Sequence, residues 1–127
     1  MPIDSSDFAA SARRLVNSEF EVDYRNTISR AYYATYHLFL ESLMHCPSFA
    51  CNHHQNLIGY MSNQNECKLE PYDKVKLKVL AYKLSQLRAE RNEADYDLSS
   101  DSIVKKNAEL AIETMDSFIE DWNNLKR

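Results

Sequence analysis

The stretch RAERNEADYD gathers ionisable, amide and aromatic side chains at one point of the chain. Arg88, Arg91 and Asp95 are spaced i, i+3 and i+7, so they share a face if the stretch is helical. An arginine fork suits a phosphate or the charge of a phosphorane. Asp95 could take a proton from a ribose hydroxyl, and Asn92 and Tyr96 could bind a nucleotide. The alternative is an ordinary helix salt bridge between Arg91 and Asp95 at i, i+4.

A second group of candidates lies in the stretch RNTISRAYYATYHLFLE. Arg25, Arg30, Tyr33 and His37 could line a groove, and the last three are spaced i, i+3 and i+7. The alternative is that the tyrosines pack in the core and keep their hydroxyls at its rim.

A third group is the cysteine and histidine cluster HCPSFACNHH, with Cys67 beyond it. Mixed thiol and imidazole groups invite zinc, but the spacing lacks a pair of two-ligand knuckles. We therefore predict no metal and partly buried thiols. Within the cluster, His54 is the residue expected to face a central groove.

Composition limits what these candidates can belong to. With 127 residues, 44% hydrophobic and 27% charged, the sequence predicts one folded domain over residues 1–127. One glycine and three prolines argue against an all-β fold and exclude a glycine-rich phosphate loop. A net charge of −4 gives no field for duplex DNA. Three cysteines, without a secretory or membrane-length apolar run, favour a cytoplasmic protein that does not enter a membrane.

Apolar periodicity predicts an all-α fold, an antiparallel bundle of four long helices and one short helix. The predicted helices run over about Ser5–Ser18, Asp23–His45, His53–Gln64 (the short one), from Pro71 to the RAERNEADYD stretch, and from a cap at Ser100 or Ser102 to the end. Ser5 or Ser6 is the predicted cap of the first helix.

Three of the predicted helices carry long inward stripes. The second has Ile28, Tyr32, Tyr36, Phe39 and Leu43; the fourth has Leu77, Leu80, Leu84, Leu87 and Arg91; the last has Val104, Ala108, Ala111, Met115, Phe118, Trp122 and Leu125. In the fourth helix, Arg91 occupies the position where the spacing of 3 and 4 calls for another leucine. Its guanidinium is therefore expected to be half-buried, at the rim of the core.

Two segments together, SRAYYATYHLFLE and LRAERNEADYD, resemble the HEPN domain (higher eukaryotes and prokaryotes nucleotide-binding), closest to its small stand-alone prokaryotic members. The resemblance implies a dimer whose arginine-bearing helix ends face each other across a cleft. In catalytic members, an arginine and asparagine followed by a histidine form a metal-independent RNase site. Arg91 and Asn92 match the start of that motif, and Tyr96 matches its trailing aromatic residue.

The motif histidine is absent, and Asp95 lies near its place. Histidine donates and accepts protons near neutrality, whereas an ionised aspartate only accepts them, so the change argues against cleavage. The resemblance implies binding of RNA or nucleotide in a dimer cleft. It extends to endoribonuclease activity in toxin–antitoxin or phage-defence systems, without a cofactor. The alternative is a non-catalytic module that binds a protein, such as a nucleotidyltransferase, or a small ligand.

Overall fold

The computed structural model describes residues 3–42, 58–61, 70, 72–99 and 103–125. Throughout these ranges the regular structure is helical and no β-strand occurs, which confirms the all-α prediction. The long helices are α1 (Ser5–Leu15), α2 (Glu21–Ser42), α3 (Lys74–Tyr96) and α4 (Lys105–Leu125), and residues 58–61 form a helical turn.

Helix α2 is the central element, because it packs against α1, α3 and α4. One part of the core is aromatic and leucine-rich: Phe39 of α2 lies 5.0 Å from Phe118 and 4.8 Å from Trp122, ring centre to ring centre. The other part is rich in alanine, and the small side chains on α1 and α2 let these two helices approach closely. Its members include Ala9, Ala12, Ile28, Ala31, Ala34, Ala94 and Ala111.

The stripes predicted from periodicity are buried for most of their length. The four leucines of the α3 stripe are at most 2% exposed, and Ile28, Tyr32, Tyr36 and Phe39 of α2 are also buried. One member of the last stripe was predicted wrongly. Val104 precedes the first residue of α4 and is 52% exposed. Its backbone carbonyl accepts from Asn107 and Ala108, so it stands at the cap of that helix and not on its inward face.

Two of the helices have an aspartate as N-cap in place of the residue predicted to begin them. Asp4 accepts from the backbone of Ser6 and forms a capping box with Asp7, so the predicted caps Ser5 and Ser6 already lie inside α1. Asp73 accepts from the backbones of Val75 and Lys76, so α3 begins at Lys74 rather than at Pro71. In each case the carboxylate satisfies backbone donors that the first turn leaves free.

Several predictions lie outside the described residues: Leu43, the cysteine and histidine cluster with His54, Pro71, and the caps Ser100 and Ser102. Among the helices that are described, none has a stretch long and apolar enough to cross a bilayer.

Candidate phosphate-binding site

Arg91 lies in the last two turns of α3, at the end of its leucine stripe, and is only 7% exposed. Three tyrosine rings surround its guanidinium carbon. The carbon lies 5.4 Å from the ring centre of Tyr32, 5.5 Å from that of Tyr33 and 5.5 Å from that of Tyr96. These distances allow cation–π attraction, which gains strength where water is excluded.

The polar partners of Arg91 are residues of its own helix, and one of them, Asp95, also accepts a hydrogen bond from a residue of α2. Its Nη1 donates to the Tyr96 hydroxyl at 3.3 Å and lies 3.8 Å from Oδ2 of Asp95. The same Asp95 oxygen accepts from the Ser29 hydroxyl at 3.2 Å. We call Arg91, Asp95, Tyr96, Ser29, Tyr32 and Tyr33 the Arg91 site.

Two arginine nitrogens at this site have unused donor capacity. The Nε atoms of Arg88 and Arg91 are buried and lack a hydrogen-bond partner within the described part of the chain. A buried donor without a partner costs stability. The arrangement can therefore offer N–H groups to an anion once that anion reaches the arginines.

Burial also keeps the hydroxyl of Tyr32, the nearest of the three rings, protonated. Desolvation raises the pKa of Tyr32 far above its usual range, and the charges of Arg88 and Arg91 oppose that rise only in part. Tyr32 is therefore a neutral phenol at physiological pH and contributes a π face rather than a phenolate.

The sequence-predicted residues divide into those that meet at the Arg91 site and those that do not. Arg91, Asp95, Tyr96 and Tyr33 meet, with Arg88 one turn earlier on α3. Asn92 lies on the exposed side of α3. The alternative considered for Arg91, an i, i+4 salt bridge with Asp95, is present in the structure, and its arginine is buried.

On α2, His37 belongs to an aromatic contact with α1. Its ring stacks on Phe8 with centres 5.1 Å apart and planes 17° apart, and it lies 6.1 Å from the ring of Tyr33. Arg30 is half-buried on the same helix. His54 lies outside the described residues, so the position expected for it stays a prediction.

The prediction that Arg25 lines a groove is wrong, because its side chain is buried against the end of α3. Its Nη1 donates to the backbone carbonyl oxygens of Ala94 and Asp97, each at 2.9 Å, and to that of Glu93 at 3.4 Å. Ser29, the partner of Asp95, was not singled out from the sequence at all. Neither role has a local signal, since each partner lies more than sixty residues away in the chain.

A separate groove of about 280 Å³ lies at the other end of α3 and contains none of the predicted site residues. It runs between α3 and α4 and is lined by Lys76, Val79, Leu80, Asp121, Asn124 and Leu125. Among the described residues, no group of three histidine, cysteine or acidic side chains comes together in a way that would hold a metal ion.

Comparison of the chain with models of protein families, with curated proteins and with solved structures gave no match.

Proposed function

We propose that this chain is an HEPN-like domain that forms a homodimer and binds RNA or nucleotide phosphate at the Arg91 site. Its helices would be arranged as an antiparallel bundle of four long helices and one short helix, with the two α3 ends facing each other across a cleft. The cytoplasm would be its compartment, and no cofactor is needed.

One observation carries the proposal: a guanidinium occupies a core position with one donor left unpaired. Burying a charge costs several kcal/mol unless it is fully paired, and a hydrocarbon of similar volume is often as stable or more so. The preceding positions of the same stripe are buried leucines, so a hydrocarbon would fit the pattern at position 91. A residue that costs stability at such a position is typical of a binding site.

A ligand would reach the Arg91 site from the side that Tyr96 covers. It is 74% exposed, yet its ring and hydroxyl cover the guanidinium of Arg91. An incoming phosphate would displace the hydroxyl, take the Nη1 donor and reach the unpaired Nε atoms. Both arginines then bind the anion through charge-assisted hydrogen bonds, while the ring is free to stack on a base.

The contacts of Asp95 favour binding over cleavage. Attack of a ribose 2′-hydroxyl on the adjacent phosphate needs a group that accepts the hydroxyl proton and another that gives a proton to the leaving 5′-oxygen. Asp95, beside Arg91, could accept the first proton, and the motif histidine that would give the second is absent from this sequence. His37, the described histidine nearest in sequence to the tyrosines of the site, is stacked on Phe8.

The test is binding of a fluorescein-labelled, single-stranded RNA, measured by polarisation with and without EDTA. We expect Arg91→Met, which keeps much of the packing, to lose binding. Arg14→Met is the matched control, because it removes the same charge from an exposed position on α1. Unchanged binding in Arg91→Met, or no binding by the wild type at micromolar protein, would refute the proposal. RNA cleavage that survives EDTA and is lost in Arg91→Met would extend it to an endoribonuclease.

A second candidate function is a non-catalytic module that binds a partner protein, such as a nucleotidyltransferase, or a small ligand. The outer face of α3 favours it, since Val75, Val79 and Tyr82 are exposed at spacings of 4 and 3 beside the groove between α3 and α4. Co-purification with a nucleotidyltransferase encoded nearby, abolished by Tyr82→Lys and unaffected by Arg91→Met, would support this function over the first.

A further inference from the structure

Arg25 is buried where the beginning of α2 meets the end of α3, and it is 6% exposed. Among its contacts, Nη1 reaches three backbone carbonyl oxygens, those of Glu93, Ala94 and Asp97. The last four carbonyls of a helix have no intrahelical donor and carry the negative end of its dipole. A guanidinium from another helix supplies hydrogen-bond donors to these carbonyls and a positive charge next to the negative end of the dipole.

The carbonyls that Arg25 binds lie on both sides of two residues of the Arg91 site. Asp95 and Tyr96 stand between Ala94 and Asp97, so the backbone that carries them is fixed at each end. Their side chains point to Arg91: Asp95 Oδ2 at 3.8 Å from Nη1, and the Tyr96 hydroxyl at 3.3 Å. One arginine therefore holds the backbone from which the partners of another arginine project.

The ion pair that Arg25 makes with Glu21 is the lesser part of its environment. Its Nε lies 3.1 Å from Glu21 Oε2, but the Glu21 side chain is 58% exposed. Solvent screens such a pair strongly. The contact with the Ala94 carbonyl is fully buried, and the carbonyl contacts together should contribute more than this ion pair.

We infer that Arg25 is a positioning residue of the Arg91 site, which sets Asp95 and Tyr96 against Arg91 by binding the backbone on either side of them. The consequence for RNA rests on the proposed function, whereas the consequence for the geometry of the site does not. Loss of Arg25 frees the last turn of α3, and Asp95 and Tyr96 then leave Arg91.

The experiment compares Arg25→Gln and Arg25→Lys with wild type by three readouts. The first is amide hydrogen exchange at Asp97, whose N–H donates to the Glu93 carbonyl at 3.0 Å. The second is the chemical shift of the buried Arg91 Nε–H in ¹⁵N spectra. The third is the affinity for a fluorescein-labelled, single-stranded RNA. We expect about tenfold faster exchange, a shifted Arg91 resonance and about tenfold weaker binding in Arg25→Gln. Arg25→Lys should fall between Gln and wild type.

Two controls separate positioning from other effects. Glu21→Gln removes only the exposed ion pair and should leave all three readouts unchanged. Leu80→Ala creates a cavity in α3 roughly 21 Å along the helix from Ala94, so it lowers overall stability without touching the carbonyls that Arg25 binds. It should leave the Arg91 resonance in place.

An unchanged Arg91 resonance in Arg25→Gln, or the same shift in Leu80→Ala, would overturn the inference. If Arg25→Gln does not fold, Arg25→Lys decides by the same criteria. If wild type binds no RNA, the proposed function fails, and the resonance and the Asp97 exchange still judge the role of Arg25 separately.

Discussion

Arg91 is a core residue whose charge works against the fold. Arg91→Met keeps an unbranched apolar stem against the tyrosine rings and removes the unpaired buried Nε. We expect its free energy of unfolding to stay within about 1 kcal/mol of wild type or to rise. Arg91→Ala should lower it by about 1–3 kcal/mol, because packing of the stem is lost as well.

Urea denaturation of both variants measures these differences. Leu87→Met is the control, since it changes the shape of the neighbouring stripe position at nearly constant volume and should cost less than about 1.5 kcal/mol. If Arg91→Met destabilised the fold by more than about 3 kcal/mol, as the loss of a well-paired buried charge does, Arg91 would be a structural residue.

The raised pKa of Glu90 predicts that stability depends on pH. Desolvation, and secondly the charge of Glu93, raise the pKa of Glu90 above its usual value. The folded state therefore holds this proton more tightly than the unfolded state, and stability falls as the pH rises from below the ordinary glutamate pKa to above the raised one. Glu90→Gln should raise the Tm at pH 7 and lose that advantage below about pH 4.

Thermal melts at the two pH values test this, with Glu109→Gln on the exposed side of α4 as the control. A Tm gain in Glu90→Gln that is as large at low pH as at pH 7 would show that charge is not its cause.

At the residue scale, spacing predicted that Arg91 faces inward, because a stripe of 3 and 4 leaves one inward position there. The residue was expected to be half-buried and is buried further than that, at 7% exposed. Its pairing with Asp95 followed from the i, i+4 relation within one helix. The Ser29–Asp95 and Arg25–Ala94 contacts join α2 to α3 across 66 and 69 residues of chain. Such contacts depend on how two helices pack, and no local pattern encodes that.

Helix α3, which carries the site, depends on its N-cap for its first turn. Asp73→Ala removes the acceptor of two backbone N–H groups, those of Val75 and Lys76. We expect a loss of about 1 kcal/mol in the free energy of unfolding. Ser85→Ala, at an exposed position in the same helix, is the control and should change it by less than about 0.5 kcal/mol. Equal effects of the two substitutions in urea denaturation would contradict a capping role.

At the scale of elements, periodicity located the faces of the helices better than their ends. The stripe from Leu77 to Arg91 is buried as predicted, since an inward face must repeat at helical spacing. The N-caps are Asp4 and Asp73 rather than the predicted residues, because several neighbouring side chains could accept from the first turn and the path of the chain into the helix selects one of them.

For the whole molecule, charge is organised locally rather than globally. The chain has a net charge of −4, yet three arginines, Arg30, Arg88 and Arg91, lie on the facing helices α2 and α3. A global field of the wrong sign weakens long-range attraction to nucleic acid, so binding has to come from a few close contacts. Duplex DNA, which needs an extended basic surface, should therefore bind poorly.

The salt dependence of RNA binding can reveal whether one chain or two form the proposed cleft. Each neutralised phosphate contributes about −0.7 to the slope of log K against log salt for a single strand. Arg88 and Arg91 bind one phosphate and Arg30 would contact a second, so one chain gives about −1.4 and a two-chain cleft about −2.8. The proposed homodimer predicts the steeper slope for single-stranded RNA, together with a dimer mass in sedimentation. Arg30→Gln should then reduce the slope by about 1.4, because it removes one contact from each chain. A slope of about −1.4 from a protein that sediments as a monomer would place the whole site in one chain and refute the shared cleft.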